Sequence, residues 1–96
     1  MTEEELDKLA AGLTEAQRVY LDHCGVAKTP YEPRHGRAAN WAIRHGYAKM
    51  RWAVAGIEMG WNDVQRSGAI EAARPLGCRL TPLGQQLRHH LERKQG

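Results

Sequence analysis

The apolar positions at the start of the chain fall at helical spacing. Leu6, Leu9, Ala10 and Leu13 recur every three or four residues behind T-E-E-E at Thr2–Glu5, a capping box in which Thr2 takes a free amide and Glu5 reaches back. Gly12 is placed to end this helix. A second box, T-E-A-Q, follows at Thr14, and Ala16, Val19, Tyr20 and His23 would line the inward side of a helix that Gly25 closes in a left-handed turn. Pro30 and Pro33 then make the segment from Val26 to His35 a loop or at most one short turn, because proline lacks an amide donor and disfavours helix in the residue before it. A third helix is expected from Gly36 or Arg37 to a terminating Gly46. At 100° per residue, Arg37, Asn40, Trp41 and Arg44 share one side of it, and Ala39, Ala42 and Ile43 share the other.

The period then changes. Y-A-K-M-R-W-A-V, from Tyr47 to Val54, alternates as a strand does, with Lys49 and Arg51 on one face and Met50, Trp52 and Val54 on the other. From Gly56 to Leu76 the pattern is the least legible of the chain: a long loop, or a loop holding a short helix around Ala69 to Ala73. Cys78-Arg79-Leu80 reads as a brief strand, and Thr81-Pro82 as a helix start, since proline in the first helical position gives up an amide that would be orphaned anyway. Leu83, Leu87 and Leu91 form a narrow stripe on this last helix, with Gly84 beside it permitting close approach of another backbone.

At 96 residues the chain is expected to be a single domain, with 1–13 an amino-terminal helix, 14–80 a helical core with a hairpin, and 81–96 a carboxy-terminal helix. There is no Phe, so aliphatic side chains must supply most of the core, which favours packed helices over a sheet-rich sandwich. The net charge of +3 is unevenly placed: up to Gln17 there are five acids against Lys8, giving −4, and the remaining thirteen bases against six acids give +7. The basic remainder suits phosphates or an acidic protein surface. No apolar run reaches membrane-spanning length, the amino terminus lacks a signal pattern, and Cys24 and Cys78 are isolated, so a cytoplasmic protein with two reduced thiols and no membrane partner is expected.

The stretch from Arg34 to Trp52 holds five bases, two histidines, two tryptophans and no acid. The helix rich in Ala and Arg ending in H-G-Y-A, followed by a strand, and the later L-T-P-L-G at Leu80–Gly84, resemble the winged-helix domains of small bacterial and phage proteins. The resemblance runs from Thr14 onward. It implies a mostly α fold of three to four helices with a small two-stranded wing (α+β), a recognition helix over Gly36 to His45 and a wing over Lys49 to Arg79. It also implies a DNA-binding or transcription-associated function in which Arg37, Asn40 and Arg44 face a major groove while Lys49, Arg51 and Arg66 touch backbone. Arg bonds guanine and Asn bonds adenine in bidentate fashion, so the side chains suit the role. The place of the short helix that braces a recognition helix is taken here by K-T-P-Y-E-P-R-H.

That departure supports a second reading, a protein-interaction module, an adaptor or inhibitor of phage or mobile-element type, docking through Trp41, its neighbouring arginines and Trp52 or Trp61. Trp and Arg are enriched among interface hot spots. Catalysis, cofactors and metals are not expected. The chain has no phosphate loop or nucleophile elbow, and its histidines and cysteines lack ligand spacing. The terminal leucine stripe suits either the core of a monomer or a homodimer contact. The candidate binding residues are therefore Arg34, Arg37, Asn40, Trp41, Arg44, Lys49, Arg51 and Arg66.

Overall fold

The structure, a computed structural model, describes residues 1–32 and 36–95, with side chains up to Arg93. Its described residues form an α+β fold of five α-helices and one three-stranded antiparallel sheet. The order is α1 (Glu3–Ala11), α2 (Glu15–Val26), α3 (Arg37–Arg44), β1 (Ala48–Val54), β2 (Ile57–Met59), α4 (Trp61–Ser67), a 3-10 turn (Ile70–Ala72), β3 (Arg74–Leu80) and α5 (Pro82–Gln95).

Both capping boxes form as their spacing dictates. Thr2 accepts from the Glu5 amide and Thr14 from the Gln17 amide, while the third-position side chain returns each bond. Gly12 caps α1. Gly36 caps the start of α3 with φ 108° and Gly46 follows its end with φ 79°, both in the region that favours glycine.

Three expectations change. Helix α2 does not close at Gly25 but continues to Val26; Gly25 serves packing instead of termination, since the Arg88 side chain crosses it so closely that a Cβ there would overlap the Arg88 Cδ. Its inward face is Tyr20, Leu21 and Cys24, while Ala16 and His23 are exposed and Val19 is 45% exposed. The helix packs against α3, α5 and β3, and those three partners choose the buried face. Second, Ile43 reaches the surface of α3 while Ala39 and Ala42 are buried. Third, the hairpin has a third strand. Ala55 and Gly56, both at positive φ, make a two-residue turn that returns β1 directly into β2, as the twist of paired strands prefers.

The sheet order is β2-β1-β3, so α4 and the 3-10 turn lie in the connection between its two outer strands. The 3-10 turn occupies the place where a short helix is expected. Tyr31 extends the sheet beyond β3 through two backbone bonds with Cys78, at 2.8 and 3.0 Å. The brief strand at Cys78 is thus the end of a seven-residue strand.

The core joins Leu6 of α1, Tyr20, Leu21 and Cys24 of α2, Ala39 and Ala42 of α3, Tyr47, Ala48, Cys78 and Leu80 around the sheet, and Leu87 and Leu91 of α5. Leu83 packs against it, so the terminal leucine stripe is spent inside the fold. Gly84 sits against the Tyr47 carbonyl, which a Cβ would overlap, so the close approach expected beside that stripe is present. His90 is fully buried, its Nε2 2.7 Å from Asp7 Oδ1, which ties α5 to α1. No helix among the described residues is long and apolar enough to cross a membrane.

Candidate binding surface on α3, β1 and α4

Helix α3 is amphipathic because small residues face inward. Ala39 and Ala42 let it lie close on α2 and β1, and Arg37, Asn40 and Arg44 are exposed as the periodicity predicts. Neither arginine has an ion-pair partner among the described residues. Trp41, at the edge of that stripe, is half-buried. It packs on the core with its ring 5.1 Å from Tyr47 and 6.3 Å from His45. Arg34 lies outside the described residues.

Ile43, at the opposite edge of the stripe from Trp41, opens onto a groove between α3, β1 and α4. The groove measures about 530 Å³ and is lined by Ile43, Ala48 to Arg51 and Gly60 to Asp63, with Arg66 at its rim. Trp61 begins α4 beside Gly60, is 39% exposed, and leans on Trp52 at 4.9 Å. Val64 is the single buried residue of α4 and anchors it. Thus Lys49, Arg51 and Arg66 meet in one groove, and Arg37, Asn40 and Arg44 lie along the helix that forms its wall.

The three bases of the groove are not equivalent. Lys49 is exposed and unpaired among the described residues. Arg66 is exposed and 3.8 Å from Asp63, a pair of little strength in solvent. Arg51 is held, its Nε 2.7 Å from Glu58 Oε2. Arg79, one strand over, donates from Nε at 2.7 Å and from its terminal nitrogen at 2.8 Å to the same carboxylate. The Arg79 hydrogen bonds, and Arg51 with them, hold the Glu58 carboxyl at about 2, against the desolvation that pushes it up. In return Glu58 raises Arg79 above its ordinary value. Glu58 therefore locks three strands together and contributes no free negative charge to the groove.

Elsewhere the titratable groups read as core. Burial pushes the Cys24 thiol up to about 11, with Cys78 beside it adding to the shift, and burial raises the Tyr20 and Tyr47 hydroxyls. Both cysteines are buried, and no disulfide joins them. No group of three or more His, Cys, Asp or Glu residues among those described could hold a metal ion.

Sequence reasoning did not single out Glu58, Ile43 or Trp61 as a group. Ile43 looks inward on a helical wheel. Glu58 finds its arginines only once β2 and β3 flank β1. No family model, curated protein or solved structure matches this chain.

Proposed function

We propose that the protein binds nucleic acid through the outer stripe of α3 and the groove beside it, in the manner of a winged-helix protein, with Arg37, Asn40, Arg44, Lys49 and Arg66 as the contact residues. One observation carries the reading: the surface from Arg37 to Arg66 presents exposed bases on three elements, α3, β1 and α4, and its only described carboxylates are the clasped Glu58 and the solvated Asp63. Such a surface neutralises phosphates at little desolvation cost. The passage of α3 into β1 and of β3 into α5 supports the winged-helix likeness; the insertion of α4 before β3 is a departure from it. A transcription-associated role and a cytoplasmic setting belong to the same proposal, as does the absence of catalysis.

Arg51 enters this reading in a changed role. Bound to Glu58, it shapes the groove floor and does not meet phosphate. The test is a salt-dependent titration with labelled oligonucleotide, in which affinity should fall steeply as salt rises. A second reading, protein docking, is favoured by the exposed apolar pair Ile43 and Trp61 and no longer by Trp41, which the core already engages. It predicts salt-insensitive capture of a partner that Trp61→Ala abolishes.

A further inference from the structure

The groove has features that an α-helix laid in a duplex would not use. Trp61 is exposed, yet its indole is held against Trp52. The same groove is lined by Ile43, which is 36% exposed, and by the half-buried Met50, which also packs against the core. The groove as a whole is about 530 Å³ and lies open to solvent along one side. Lys49, Asn62, Asp63 and Arg66 belong to the same lining. A braced aromatic ring, an apolar slot and flanking cations are the parts from which sequence-tolerant single-strand sites are made, since every base has a π-face and every linkage a phosphate.

We propose that this groove seats an unpaired nucleotide of a single strand, its base against the Trp61 indole and its neighbouring phosphates at Lys49 and Arg66. The proposal rests on the nucleic-acid reading above and narrows its ligand. A paired base is already stacked on both faces and cannot reach an indole set in a cleft. Asp63, the one carboxylate of the groove lining, can accept from a base N–H, the N3–H of thymine included, and Asn62 beside it can both donate and accept. The α3 stripe of Arg37 and Arg44 continues the positive track beyond the groove, giving the strand a path along the wall.

The experiment compares a short labelled oligothymidylate with a blunt mixed-sequence duplex of equal length, by fluorescence anisotropy at low salt. The single strand is expected to bind roughly tenfold more tightly, in keeping with one base–aromatic stack. Trp61→Ala should lower single-strand affinity by about the same factor and leave duplex affinity within about twofold, while Trp61→Phe retains most of the single-strand affinity. Thermal melts accompany each variant. If Trp61→Ala fails to fold, Trp61→Leu, apolar but without a π-face, takes its place and should lose the same single-strand preference. Equal or tighter duplex binding by the wild type, or single-strand binding indifferent to Trp61, overturns this proposal and leaves the nucleic-acid reading standing. Binding of neither probe overturns both, and would turn the Ile43 and Trp61 surface toward a protein partner.

Discussion

Replacing Glu58 by Gln removes one negative charge from between two guanidinium groups while keeping the side chain's shape. The carboxyl lies at about 2 in the fold against an ordinary value near 4.5, and such a difference corresponds to about 3 kcal/mol as an upper bound. The side chain is 27% exposed, so solvent screens part of this, and about 1–2 kcal/mol is the expected loss at neutral pH. Because the folded value is depressed, the stabilisation is complete above about pH 4.5 and fades as pH falls toward 2. Urea unfolding of wild type and Glu58→Gln at a series of pH values should therefore show two curves that are separate at pH 7 and converge in acid. A gap that stays constant as pH falls through this window would refute the charge argument and leave only lost packing. The same substitution releases Arg51 into the groove. Under the nucleic-acid reading, affinity rises and the dependence of log K on log salt steepens by up to about one unit.

Other outcomes follow from single contacts. Trp41→Ala should cost about 2–3 kcal/mol in stability, less than a fully buried tryptophan, measured by denaturant unfolding, because the ring packs on Tyr47 and the core. Gly84→Ala should destabilise by about 2 kcal/mol or more and lower the melting temperature, since the new Cβ overlaps the Tyr47 carbonyl and neither backbone can withdraw. Cys24 should react with a thiol reagent at neutral pH only at the rate of opening, being buried and raised to about 11; fast labelling of folded protein would contradict this.

What could be read from the sequence was local. The capping boxes at Thr2 and Thr14 need only a residue three places on, so their spacing names them. Gly36 and Gly46 bracket α3 because each holds a backbone angle suited to glycine. The exposed stripe of Arg37, Asn40 and Arg44 likewise follows from one helical period. The inward face of α2 depends on three distant partners, so of the expected residues Tyr20 stays inward, joined by Leu21 and Cys24, while Ala16, Val19 and His23 face solvent. Helix α4 buries Val64 alone and thus has no apolar period to detect. The groove could not be foreseen without α4, nor Glu58 without the strand order that places it between Arg51 and Arg79.

The central claim is that the α3 stripe and its neighbouring bases form an electrostatic surface for nucleic acid. Anisotropy titrations of wild type and Arg37→Ala/Arg44→Ala over a range of salt test it most directly, because both side chains are exposed and their removal should change stability by no more than about 0.5 kcal/mol. The account predicts that wild-type affinity falls linearly in log K with log salt. The double variant should bind more weakly, with a slope shallower by roughly 1.4 to 1.8, the release of counterions from two phosphate contacts. Binding of unchanged strength and slope in a variant that melts like the wild type would contradict it.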